Sequence, residues 1–167
     1  MIKLFSTLIG IGGVCGILLV GTHAATKDQI EQNRLDKTKL LMTRMLGHEI
    51  PANIATSQPF IGDCNLWIFS TLQIQGYAGL IHLTALGRLG SNEARLTLRV
   101  VQHSETPGIG DFIDHQKSAW MSYLDNMTLN AFQTVDNVSG ATITTNAIRK
   151  AALKSIEQLG AYCARPN

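Results

Sequence analysis

Residues 136–142, D-N-V-S-G-A-T, place hydroxyls beside glycine and alanine where a helix is expected to begin, at about Ile143. Small hydroxylated residues bury little apolar area, so a hydrophobic core does not call for Ser139, Gly140, Ala141 and Thr142. A helix N-terminus offers free backbone N–H groups and a favourable dipole, and small residues leave room for an anion. A hydroxyl there can hold or carry a phosphate. The same pattern suits a plain helix cap, in which a Ser or Thr oxygen accepts from the first turn, and by the residues alone capping suffices.

A second run, S-E-T-P-G-I-G-D at 104–111, follows the most regular strand pattern of the chain. Pro107-Gly108 with Gly110 predicts a tight turn whose backbone can approach a ligand. Glu105, Thr106, Pro107, Gly108 and Gly110 are therefore candidate wall residues, although such a run is usually only a turn. Acid–base and metal chemistry find no foothold. There is no G-x-S-x-G, H-E-x-x-H, Walker loop or G-x-G-x-x-G, and no C-x-x-C pair for zinc. The five histidines, His23, His48, His82, His103 and His115, are scattered, so no catalytic residue and no metal set is predicted.

The elements that position these runs can be read from hydropathy. Residues 4–22 carry no charge and are mostly Leu, Ile, Val and Gly, enough for a bilayer-spanning helix of about 20 residues. The run exceeds the usual signal-peptide core of about 7–15 residues, which favours a retained anchor over a cleaved leader. Bulky Val14 before Cys15 argues against a lipoprotein site. Lys3 precedes the span, while Lys27, Arg34, Lys37 and Lys39 follow it, a bias that would keep the rest in the cytoplasm. Interleaved Asp28, Glu31 and Asp36 leave the side open. The chain has 14 Lys plus Arg against 12 Asp plus Glu, a net charge of +2 with no basic block, so nucleic acid is not an expected partner.

Thr26 is expected to cap a linking helix that stops at Gly47, and residues 51–63 read as loop. Strand-like runs occupy 65–71, 80–86 and 95–101; in the last, Leu96, Leu98 and Val100 alternate with Thr97 and Arg99. A helix is expected from Asp114, carrying Trp120 and Leu124. A final one shows Ile148, Ala152, Ile156 and Leu159 on one face, with Gly160 as its stop. The architecture is α+β: a transmembrane anchor at 1–25, a linking helix at 26–50 and one small domain at 51–167 with an antiparallel sheet and flanking helices. Cys64 and Cys163 read equally as buried thiols or as one disulfide.

The motif D-x-x-S-G-A-T before a helix resembles the flavinylation motif of two kinds of FMN-binding domain: the one in the G subunit of the Rnf ion-translocating electron-transport complex, and the one in the C subunit of sodium-translocating NADH:quinone reductase. The run V-V-Q-H-S-E-T-P-G-I-G-D-F-I, Trp120 after it, and G-Y-A-G-L-I at 76–81 are similar to the Rnf G subunit. The resemblance implies FMN bonded through its phosphate to Thr142, transferred from FAD by a flavin transferase. Ser139, Gly140 and Ala141 would allow close approach, and the 105–110 loop would wall the pocket. It further implies an electron-transfer subunit of a complex coupling ferredoxin and NAD to ion translocation, in the bacterial inner membrane with the domain on the periplasmic side. There a Cys64–Cys163 disulfide can persist. The chain is shorter than expected of the family between Cys64 and Gly76 and between Leu124 and Asp136. Two alternatives follow: a structural or assembly subunit without productive flavin, and another exported FMN-domain carrier.

Overall fold

The computed structural model describes residues 2–47, 49–50, 60–64, 67–89 and 93–164. Helix α1 runs unbroken over Ile2–Leu46, and its apolar part is long and apolar enough to cross a membrane. The chain divides into two compact units, residues 1–36 and 37–167. In the first, Leu8, Ile9, Ile11, Val14, Ile17, Leu18, Leu19 and Val20 are all exposed, so this stretch buries its apolar surface against nothing in its own unit. Thr26 does not cap a second helix. Its hydroxyl donates back to the Thr22 carbonyl at 2.8 Å, a bond that a threonine can make without interrupting a helix. Gly47 does end α1, with φ of +79° and its N–H on the Thr43 carbonyl at 3.0 Å.

The second unit is built on a five-stranded antiparallel sheet in the order β1-β2-β3-β4-β5, with β1 at Phe60–Asp63, β2 at Trp67–Gln75, β3 at Leu80–Leu89, β4 at Ala94–Gln102 and β5 at Met127–Thr128. Strand β1 corrects the expectation of loop up to Asp63; residues 51–59 of that loop lie outside the described residues. Two short helices, α2 (Trp120–Tyr123) and α3 (Leu129–Gln133), precede the long α4 (Thr142–Cys163). One sheet face presents Ile68, Leu72, Leu83, Ala85, Leu96 and Leu98 to Ala147, Ile148, Ala151, Ala152 and Leu159 of α4. Burying each large aliphatic side chain there contributes roughly 1.5–3 kcal/mol. On the opposite face Phe69 and Leu86 pack with Met42 and Ile50, so the compact unit takes in the end of α1.

Two helix expectations change. No long helix starts at Asp114: its side chain accepts from the Gln116 N–H at 2.9 Å, and Ser118 Oγ accepts from the Trp120 N–H at 3.1 Å. Such local bonds compete with a helical ladder, leaving a 3-10 turn at Asp111–Ile113 and the single turn of α2. Helix α4 starts at Thr142 and passes through Gly160. Cys163 in its last turn is bonded to Cys64, with a Cα separation of 5.7 Å, and the rings of Tyr162 and Phe60 stack at 4.5 Å. These contacts offset the cost of about 1 kcal/mol for a glycine inside a helix.

His115 supplies a pH dependence. Both ring nitrogens are buried without a hydrogen-bond partner. Burial first, and then the positive Arg99, Lys37 and Arg44, push its pKa below the ordinary 6.5 against the pull of Asp114. Between its folded pKa and about 6.5 the unfolded chain binds more protons, so stability is full above that window and falls as pH drops through it. The denaturant midpoint is expected to fall from pH 7 towards pH 5. In His115→Gln that slope should flatten.

Candidate functional site

The two runs singled out in the sequence meet at one cavity. A space of about 370 Å³ is lined by Tyr77, Glu105, Thr106, Ile109, Gly110 and residues 140–144. That is within the range of about 300–1,000 Å³ usual for small-molecule sites, at its lower end. Its floor comes from the loop after β4, its far wall from the start of α4 and its rim from the β2–β3 turn.

Glu105 ties these three segments together. It is 4% exposed, and both oxygens of its carboxyl group accept: Oε2 from the Thr144 hydroxyl at 2.6 Å, Oε1 from the Ala78 N–H at 3.3 Å. Gly76 makes the burial possible. A Cβ there would sit 2.1 Å from Glu105 Oε1 and 2.7 Å from Ile81, so the chain can cross only as glycine. Gly110 closes over the same side chain, 2.8 Å from the Glu105 Cβ by the same construction. Thr106 holds the turn by accepting from the N–H groups of Ile109 and Gly110 at 3.1 and 2.9 Å.

At the helix end the hydroxyls divide. Thr145 Oγ1 donates to the Ala141 carbonyl at 3.1 Å and accepts from the Val138 N–H at 3.2 Å, bracing the loop. Thr144 holds Glu105. Thr142 is exposed, is the first residue of α4 and faces the cavity. Ala141 occupies the N-cap position, and no side chain caps the helix by hydrogen bond. Thr142 therefore does not serve as the N-cap that the sequence allowed. Gly140, at φ of +77°, turns the chain into the helix with open space around it. An uncapped N-terminus with room before it fits an anion, since its first N–H groups lack side-chain acceptors.

Of the other expected residues, Ser139 and Gly108 line an adjoining depression of about 410 Å³ with Asp111 and Lys117, whose side chains pair at 3.0 Å. Pro107 is exposed and lines neither space. Sequence reasoning missed Tyr77, Ile143 and Thr144 as lining residues and covered Ile109 only as part of the 105–110 loop. Tyr77, Ile109 and Ile143 are 68%, 55% and 55% exposed, an apolar rim at the cavity mouth. The G-Y-A-G-L-I run was the available signal for Tyr77; Ile109 and Ile143 carry none beyond lying inside the two motifs.

The model of the FMN-binding domain family matches residues 76–157, a span that contains every residue lining this cavity. The G subunit of the ion-translocating oxidoreductase complex of Haemophilus influenzae is 28% identical over 174 residues, covering 86% of this chain and 83% of the relative. The corresponding protein of Pseudomonas aeruginosa is 35% identical over 60% of this chain and 51% of its own length. The Shewanella piezotolerans relative is 30% identical over 78% of this chain and 68% of its own. The chain belongs to this family of G subunits. Within the family frame, the uncapped start of α4 and the exposed Thr142 hydroxyl suit the phosphate end of FMN, and the apolar rim suits a flat aromatic ring.

Proposed function

We propose that this chain is an FMN-carrying electron-transfer subunit of an ion-translocating oxidoreductase complex, with the flavin bonded through its phosphate to Thr142. The observation that supports this most is the convergence of both motifs on one cavity, with Thr142 exposed at the start of α4 while its neighbours Thr144 and Thr145 are buried and engaged in bonds. In maturation a flavin transferase presents FAD. Thr142 would supply the oxygen that takes over the FMN phosphate from FAD, with AMP as the leaving group and the hydroxyl proton passing to the transferase. Electron uptake and release are the chemistry that bound FMN supplies. The chain's own residues orient it: α4 faces the phosphate with free N–H groups, Glu105 locks the 105–110 loop to α4, and Tyr77, Ile109 and Ile143 offer the ring an apolar seat.

The wider reading places the domain on the periplasmic side of a bacterial inner membrane, anchored by α1, beside other subunits of an Rnf-type complex that couples ferredoxin and NAD to ion translocation. Its test is spectroscopic. Membrane extract from cells coproducing the transferase should yield a complex with flavin absorbance that bleaches under dithionite and returns in air, in step with the amount of this chain. An assembled complex with no flavin on this chain would support the structural-subunit alternative instead.

A further inference from the structure

We infer that a second concavity, on the sheet face away from α4, binds a phosphate-bearing anion the size of a lipid headgroup. It measures about 230 Å³ and is lined by Arg44, Arg88, Arg95, Arg99, Thr97 and Asn126, with Asp125 and two apolar residues. Four arginines thus line one hollow in a chain whose net charge is only +2. Among the described residues, Asp125 is the one acid that pairs with any of them, gripping Arg99 by both oxygens at 2.5 and 2.6 Å.

The register of the strands adds a second observation. Arg88 of β3 lies directly opposite Arg95 of β4, and like charges facing each other across an antiparallel pair destabilise a sheet. Arg44 in the last turn of α1 is favoured by the helix dipole; Arg95 donates to the neutral Asn126 carbonyl at 3.2 Å, and neither it nor Arg88 has an acidic partner among the described residues. His115, whose pKa is lowered in part by Arg99 and Arg44, senses the same positive field. Planar guanidinium forks match phosphate oxygens two by two, and an anion among them would turn the Arg88–Arg95 repulsion into shared attraction. The volume admits a phosphate with a small polar substituent and little more. A chain carrying a helix able to cross a membrane meets lipid headgroups, which makes them the first source of such an anion to test.

The test uses the full chain in maltoside micelles, titrated with dihexanoyl phosphatidylglycerol and followed by the backbone amide signals of Arg88, Thr97 and Asn126. A saturable shift confined to residues around the hollow is expected, at least tenfold weaker with phosphatidylcholine. The Arg88→Gln/Arg95→Gln double variant should bind at least tenfold more weakly. Its denaturant midpoint should stay level or rise, because the facing charges are gone, which separates lost binding from lost folding. Inorganic phosphate saturating the same amides at lower concentration would name free phosphate as the source within the same site. The inference is overturned by absence of a saturable shift, by equal binding in the double variant, or by a Glu-rich peptide binding more tightly than either phosphate source.

Discussion

Thr142→Ala, coproduced with an active flavin transferase, is expected to emerge with no flavin after denaturation, whereas the unaltered chain carries the mass of one FMN and fluoresces in a denaturing gel. The substitution removes the oxygen that would form the ester. It costs little in folding, because Thr142 is exposed and makes no capping bond to the helix. The neighbouring hydroxyls give the contrast. Thr145→Ala frees the Val138 N–H but leaves the label in place. Thr144→Ala also keeps the label, yet it strips Glu105 of its 2.6 Å donor and should lower stability by about 1–3 kcal/mol, the usual cost of leaving a buried polar group short of a partner. Loss of label in Thr144→Ala with the label intact in Thr142→Ala would reverse the assignment.

The largest effect on stability is expected at the disulfide. Cys64, just before β2, and Cys163, in the last turn of α4, are 99 residues apart in sequence, so their bond closes a loop around most of the domain. Opening so long a loop enlarges the unfolded ensemble, and removing a native disulfide from a small exported domain typically costs about 2–5 kcal/mol. A Cys64→Ser/Cys163→Ser variant should unfold at clearly lower denaturant, and fraying should begin where Tyr162 stacks on Phe60. A Cys15→Ser control should leave the midpoint unchanged, since that thiol is free and exposed. An unchanged midpoint in the double variant would show that the bond contributes nothing in the protein as produced.

Much of the domain is legible from local pattern. The alternation of Leu96, Leu98 and Val100 marks β4 and its core face, and the spacing of Ile148, Ala152 and Leu159 marks the buried side of α4, because period alone decides which face is apolar. What pattern does not show depends on partners distant in the chain. Strand β1 is four residues with a glycine at φ of +130°, and only its pairing with β2 makes it a strand. Gly160 reads as a stop until Cys163 and Tyr162 are seen held by Cys64 and Phe60. Glu105 reads from the sequence as a wall of the site; its burial rests on the missing side chains of Gly76 and Gly110, which approach it from a different hairpin and from its own loop. The four arginines of the second hollow are spread over 44–99 and form no run, so charge pattern alone gives no sign of them.

The bond between flavin and protein is open to the most direct test of all. Protein coproduced with the transferase, digested and fragmented in the mass spectrometer, should give one flavin-bearing peptide from the start of α4, with the FMN mass added at Thr142 and at neither Thr144 nor Thr145. The FMN mass on any other residue, or no modified peptide despite active transferase, would contradict it.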